Sequence, residues 1–312
     1  MKKLITLVCL LVCAFYVNAQ PGPKETDAMI STINEMNIPM ADSNSTAPYG
    51  LVGGGSKGIG FGIAEALARR GYNLVLIARH MDGLLLAKNK IESTYGVHVE
   101  VLSYDLSKEE TATAIAAWCT EKNIRLTMLC NVAGLGGDED YLQLGLDSLR
   151  YMVRLNVESA MAMSLTLLPL LEKNAPSQIL NVASMAGFAP IPIKNLYAAT
   201  KSAVISFSYS LRYQLREKNI TVSCLAPGPV YTKESIKEET KRQLGWFGNA
   251  MAQKPARVGE VAVRKTLKGR PMIVPGTLAH FMSGLLRILP KRFLAYIYGK
   301  AGDNANRKRP KK

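Results

Sequence analysis

Tyr49-Gly50-Leu51-Val52-Gly53-Gly54-Gly55-Ser56-Lys57-Gly58-Ile59-Gly60 is the stretch that decides the fold. Residues 49–52 read as a short buried strand feeding a glycine turn. Beyond the turn, Ile59, Ile63, Ala66 and Leu67 recur at helical spacing, and Arg69-Arg70-Gly71 supplies a basic last turn with a glycine stop. This is a strand-turn-helix unit. Glycine at such a turn lets the backbone approach a pyrophosphate, whose charge the free N–H groups and dipole of the following helix stabilise. Gly54, Gly58 and Gly60, lying between a strand and an amphipathic helix, mark a dinucleotide cradle.

Outward from this unit, strand-like runs recur at 73–78, 97–104, 126–131, 178–184, 220–226 and 271–274, with helical stretches between most of them. Alternating strands and helices predict an α/β fold whose parallel sheet is covered on both faces. The 312 residues are 48% hydrophobic and 20% charged, enough for one large core with appended ends. Metal chemistry finds no support. His80, His98 and His280 share no ligand spacing, nor do Cys119, Cys130 and Cys224, of which Cys130 and Cys224 read as buried, inert thiols. The Gly-x-Ser-x-Gly elbow of hydrolases is also absent.

A second constellation carries the chemistry. Ser184 is followed thirteen residues later by Tyr197 and one helical turn beyond by Lys201. Four apart on a helix, Tyr197 and Lys201 project as neighbours, and an ammonium beside a phenol favours the phenolate. The proton can then move to or from a substrate oxygen that Ser184 holds in line.

Together with Asn131-Val132-Ala133-Gly134, Asn156 and Pro227-Gly228, these residues form an ordered series over roughly residues 48–276. It resembles the short-chain dehydrogenase/reductase family, and within it the ketoreductases of hydroxysteroids, 3-ketoacyl chains and similar lipids. The resemblance implies a doubly wound Rossmann fold with strand order 3-2-1-4-5-6 plus a seventh strand, and a site at the strands' carboxyl ends. It implies that Tyr197 is the general acid or base and that Lys201 tunes it while binding a nicotinamide ribose. Ser184 would bind the carbonyl oxygen, and Asn156 would hold a water in a proton relay. Gly54, Ser56, Lys57, Gly58, Ile59 and Gly60 would cradle the cofactor. Asp105 and Leu106 would meet its adenine, with Asn131, Ala133 and Gly134 on the adenosine side. Pro227, Gly228, Val230 and Thr232 would flank the nicotinamide. Arg79, at the end of the second strand, and Lys57 would pair with an extra phosphate, so NADP(H) is the expected cofactor. As ordinary surface cations the two would carry no such meaning, and Asp82 lies nearby. The chain departs from the family pattern at Gly53, where a Thr is usual, and at Val132, which replaces a second Asn.

The ends read differently. Lys2-Lys3, an apolar run at 4–17 and Asn18-Ala19-Gln20 look like a signal peptide or membrane-targeting leader over residues 1–19, too short for the about 20 apolar residues of a spanning helix. Residues 20–47 read as a linker. Residues 277–301 form an amphipathic helical extension broken at Pro290, and 302–312 a basic tail. Of the net charge of +15, a large share lies from Arg287 onward, where nine basic residues face a single acid, Asp303. Such a block suits an anionic membrane surface or is a solvated tail; nucleic acid is not expected, since no aromatic-studded groove accompanies it. The extension either lies in a membrane interface or packs over the substrate cleft or a partner subunit. The leader points to an exported or membrane-associated protein, in conflict with a cytosolic cofactor, and the cytoplasmic face of a membrane is the alternative. The family resemblance implies a homo-oligomer.

The expected activity is NADP(H)-dependent interconversion of a ketone and a secondary alcohol on an apolar, lipid- or steroid-like substrate, walled by Ala189-Pro190-Ile191-Pro192-Ile193. The competing class is a non-catalytic NADP-binding scaffold or sensor docked on a membrane. An intact Ser184, Tyr197 and Lys201 argues against it.

Overall fold

The computed structural model describes residues 47–136, 141–231 and 252–307. Seven strands, β1 (Tyr49–Gly53), β2 (Asn73–Ala78), β3 (Val99–Ser103), β4 (Leu126–Asn131), β5 (Ser177–Val182), β6 (Ile220–Leu225) and β7 (Met272–Ile273), pair in parallel in the order β3-β2-β1-β4-β5-β6-β7. The connecting helices are α1 (Gly58–Ala68), α2 (Met81–Tyr95), α3 (Thr111–Glu121), α4 (Leu146–Val153), α5 (Ser159–Thr166), α6 (Leu168–Lys173), α7 (Asn195–Gln214) and α8 (Pro255–Leu267). A π-helical turn, Arg154–Glu158, joins α4 to α5.

Strand side chains alternate between faces, so one strand serves two cores. In β2, Leu74 and Leu76 pack with Ile63, Leu67 and Val258 from α1 and α8, while Val75 and Ile77 pack with Ile115 and Met163 from α3 and α5. The doubly wound sheet expected from the glycine turn is thereby realised. Helices α1 and α8 touch backbone to backbone: a Cβ on Gly259 would lie 2.1 Å from the Gly62 carbonyl carbon, and a side chain on either would part them. Arg70, in the basic turn after α1, clamps the same pair by bonding Glu260 and the Ala66 carbonyl. This bond holds the Glu260 carboxyl below its ordinary range.

Strand ends are set by their ladders rather than by apolar runs. The run at 97–104 yields only Val99–Ser103, because β2 offers partners only from Leu74 to Ala78. The run at 271–274 shrinks to two residues against Cys224 and Leu225. The reading of Cys130 and Cys224 holds: both are free and buried, as Cys119 is too, and burial pushes all three thiols up, Cys119 to about 12 and Cys224 to about 11.

Pro290 splits the C-terminal segment into α9 (Thr277–Ile288) and α10 (Lys291–Arg307). The extension does not end at 301 as expected. No proline intervenes before Pro310, and the helix runs on through Arg307. No helix among the described residues is long and apolar enough to cross a membrane. The leader, most of the linker, residues 232–251 and the tail beyond 307 lie outside the described residues.

Candidate active site

The sheet order reverses between β1 and β4, and in such sheets the crevice outside the carboxyl ends at that point receives ligands. Here the glycine turn closes one wall. Gly54 sits at φ +89°, and its N–H donates to the Ile77 carbonyl of β2 at 2.7 Å, while Ala133 N–H donates to the Gly53 carbonyl at 2.8 Å. A Cβ on Gly54 would lie 2.9 Å from Ala133 N, and one on Gly60 would lie 2.0 Å from the Gly54 carbonyl oxygen. The side-chain-free turn therefore folds tightly onto α1. No side chain caps α1, and its first N–H groups, at Gly58, Ile59 and Gly60, are those that helix geometry leaves without intrahelical acceptors. The cradle fits a dinucleotide pyrophosphate. Gly60→Ala is expected to weaken NADPH binding at least about tenfold and to lower the melting temperature, measured by fluorescence titration and thermal denaturation.

At Gly53 the departure from the family pattern has a packing reason. A Cβ there would lie 3.1 Å from Leu106 Cδ1, so glycine admits Leu106 against the turn. Asp105 closes its own loop, one carboxylate oxygen accepting from Ser107 N at 3.0 Å and Ser107 Oγ at 2.8 Å. Asn131 does not face the adenosine side. Its amide donates to Asn181 Oδ1 at 2.8 Å, Ser164 Oγ at 3.2 Å and the Ala160 carbonyl at 3.3 Å, inside the core. As the last residue of β4 it lies beneath the crevice, and Ala133 and Gly134 carry the chain across its mouth.

Arg79 follows β2 and is exposed, as Lys57 is. Its Nη1 donates to the Tyr151 hydroxyl of α4 at 2.7 Å. Tyr151 in turn lines a cleft of about 400 Å³ with Ser107, Lys108, Asp147, Arg150 and Arg154. Three cations against one acid make this end of the crevice positive. Nothing in the sequence marks Tyr151, because a lone aromatic at helical spacing reads as core.

The reacting groups meet at the carboxyl ends of β4 and β5. Ser184 lies two residues past β5, in extended backbone at the start of the short turn Met185–Phe188, and its Oγ accepts from Ala186 N–H at 3.2 Å. It also lies beside the Tyr197 hydroxyl, close enough to pull against the rise of that group's pKa. Tyr197 and Lys201 sit one turn apart near the start of α7. Lys201 is buried, its Nζ donating to the Val182 carbonyl at 2.9 Å and lying 5.9 Å from the Tyr197 ring centre.

Asn156 occupies the π turn. Its Oδ1 accepts from Leu135 N–H at 2.7 Å, and its Nδ2 donates to the Leu135 carbonyl at 2.9 Å and to Thr200 Oγ1 at 3.1 Å. Thr200 donates onward to the Tyr197 carbonyl at 2.7 Å, a link that nothing in the sequence flags. Gly134 is the meeting point: a Cβ there would lie 3.1 Å from Lys201 Nζ and 3.2 Å from Asn156 Oδ1. Lys201 and Asn156 therefore meet at Gly134, with the Tyr197 ring centre 5.9 Å from Lys201 Nζ.

Their electrostatics differ from expectation. The ammonium was expected to draw the phenol down. Instead, burial raises the Tyr197 pKa against the opposing pull of Ser184 and the Lys194 charge, and burial lowers Lys201 to about 8. Lys201 spends its donor on a backbone carbonyl at some distance from the phenol, so desolvation dominates both groups in the protein alone.

The loop at Pro227–Tyr231 is tied down on both flanks. The Pro227 carbonyl accepts from Met185 N–H at 3.0 Å, beside Ser184, and Gln253 brackets Val230 through bonds to Pro229 and Tyr231. Thr232 lies outside the described residues.

The model of the short chain dehydrogenase family matches residues 50–243. The chain belongs to this family. Mouse very-long-chain 3-oxoacyl-CoA reductase is 31% identical over 189 residues, 59% of this chain and 60% of that protein. The chain thus spans about 60% of the length of such relatives. The 3-oxoacyl-[acyl-carrier-protein] reductase of Bos taurus is 30% identical over 64% of this chain and 84% of its own. Among solved structures, the alcohol dehydrogenase of the archaeon Thermococcus sibiricus, complexed with 5-hydroxy-NADP, matches with a TM-score of 0.64 and 26% identity over 73% of this chain and 95% of that one. This short-chain dehydrogenase therefore shares an oxidoreductase fold and a nicotinamide-cofactor lineage with enzymes of carbonyl and alcohol chemistry.

Proposed function

We propose that this short-chain dehydrogenase is an NADP(H)-dependent oxidoreductase that interconverts a ketone and a secondary alcohol on an apolar, lipid- or steroid-like substrate. The observation that carries the reading is the meeting of Lys201 Nζ and Asn156 Oδ1 at Gly134, with Tyr197 one turn before Lys201 and Ser184 beside the Tyr197 hydroxyl. A binding scaffold has no need of a phenol beside a serine hydroxyl.

The nicotinamide, when bound, supplies or accepts the hydride. Its pyrophosphate would rest on Gly54, Gly58 and Gly60, its adenine against Leu106 and Asp105, and its extra phosphate near Arg79 and Lys57. Ser184 Oγ binds the carbonyl oxygen and holds it within reach of the Tyr197 hydroxyl. Tyr197, kept protonated by burial, gives its proton to that oxygen during reduction and takes one during oxidation. Lys201 holds a positive charge 5.9 Å from the Tyr197 ring centre as the phenolate develops, and Asn156 fixes the loop at Leu135 through its paired backbone bonds. Apolar preference is supported by Phe188, Ala189 and Ile191, which follow Ser184 and pack with Leu286, Leu289 and Leu294 of the C-terminal helices.

NADPH oxidation measured over a panel of acyl, steroid and small ketones tests the reading. Turnover is expected on the larger apolar ketones; tight NADPH binding with no turnover on any of them contradicts it. Arg79→Glu separates the cofactors: it is expected to cut kcat/KM for NADPH about 10- to 100-fold with little effect on NADH, as loss of one charge-assisted phosphate contact requires. Equal loss with both cofactors would place the extra phosphate elsewhere.

A further inference from the structure

The two C-terminal helices have an inner face that the fold uses and an outer face that it does not. On α9, Ala279, Ser283 and Leu286 are buried; on α10, Leu294, Tyr298 and Gly302 turn inward, and a Cβ on Gly302 would lie 2.5 Å from Ile193. The inner face clasps both segments that carry the reacting groups. Lys291 Nζ donates to the Phe188 carbonyl at 2.5 Å, and Arg287 stacks 4.3 Å over the Phe188 ring, four residues past Ser184. Gly299 and Gly302 rest on Pro192 and Ile193, just before Tyr197.

The outer face is apolar and basic. Phe281, Leu285 and Ile288 recur at i, i+4 and i+7 on α9, with Phe281 57% and Ile288 83% exposed. On α10, Arg292, Tyr296 and Lys300 recur at i, i+4 and i+8 beside Ile297, with Tyr296 47% exposed. Isolated exposed apolar residues need no explanation, but a helical stripe of them rimmed by cations does. Residues 277–307 hold Arg287, Lys291, Arg292, Lys300 and Arg307 against Asp303 alone, and the sequence continues Lys308-Arg309-Pro310-Lys311-Lys312.

We propose that this outer face docks peripherally on an anionic phospholipid surface. Phe281, Ile288 and Tyr296 enter the headgroup boundary, and Arg292 and Lys300 meet lipid phosphates. Charge complementarity commits the face to lipid: a cationic rim around apolar side chains matches an anionic interface and repels a second copy of itself. The helix layer is about 10 Å thick, so a docked molecule holds the Ser184–Tyr197 segments close to the bilayer.

The test is co-sedimentation of the full chain with vesicles of phosphatidylcholine alone and of phosphatidylcholine with phosphatidylserine, comparing the parent with Phe281→Asp/Ile288→Asp. The leader and the tail stay in place, so the variant isolates the helix face. Binding to the anionic vesicles is expected, weaker on the neutral ones and in high salt, and at least about tenfold weaker for the variant. NADPH affinity and circular dichroism, which report folding, are expected to stay unchanged. Equal vesicle binding by the variant would overturn the proposal. So would a variant that loses a self-associated state in sedimentation velocity while neither protein binds lipid, which would make the face a contact between copies.

Discussion

Tyr197→Phe is expected to lower kcat/KM for ketone reduction by about 10²- to 10⁴-fold, the range that a positioned general acid contributes. NADPH affinity is expected to stay within about twofold, because the lost hydroxyl lies beside Ser184 rather than in the glycine cradle. The phenylalanine ring keeps the volume packed at the start of α7, so the melting temperature should move little. In kinetic terms the loss falls on kcat, since the proton is transferred only in the transition state. Steady-state NADPH absorbance over a ketone titration checks this. An undiminished kcat would remove Tyr197 from the chemistry, and an equal loss in NADPH affinity would make its role structural.

Lys201→Met should abolish turnover and at the same time stabilise the folded protein. The ammonium is buried, its pKa falls from the ordinary 10.5 to about 8, and its one bond is to the Val182 carbonyl. An unfolded chain holds that proton up to the ordinary value, so between about 8 and 10.5 the unfolded state binds more protons and stability rises with pH across that window. Below about 8 the burial penalty is present in full. A neutral side chain of similar length removes it, at the cost of leaving the Val182 carbonyl without its donor. The balance is about 2 kcal/mol in favour of the variant near neutral pH, roughly 5 °C in melting temperature, shrinking toward pH 10.5. Thermal melts at several pH values read it directly. The same titration governs catalysis: kcat/KM for NADPH is expected to fall as pH rises through about 8, as Lys201 loses its charge. A less stable variant at every pH would mean that Lys201 supports the fold rather than straining it.

Much of this site could be read in the chain because its parts are local. The glycine turn declares itself by residues that no side chain could replace, with Gly60 pressed on Gly54, and Tyr197 and Lys201 are one turn apart on one helix. Pro290 marks its own helix break. What depended on distant partners did not show. The family resemblance set Asn131 on the adenosine side, but its amide is consumed by Asn181 and Ser164, some 50 and 33 residues away in the chain. The sign of the Tyr197 and Lys201 shifts was equally hidden, since spacing gives proximity while burial depends on the whole sheet. Tyr151 and Thr200 enter only through bonds to Arg79 and Asn156 that the fold creates. Strand ends followed the ladder, which hydropathy does not encode.

The central claim is that Tyr197 and Ser184 serve hydride exchange between NADPH and an apolar ketone. Its most direct test is to incubate the full chain with NADPH deuterated at the reactive nicotinamide carbon and a long-chain 3-ketoacyl or steroid ketone, and to analyse the product by mass spectrometry. Deuterium on the carbinol carbon, formed by the parent and lost in Tyr197→Phe, is the predicted result. Saturable NADPH binding with no labelled alcohol from any such ketone would contradict it and leave the protein a cofactor-binding scaffold.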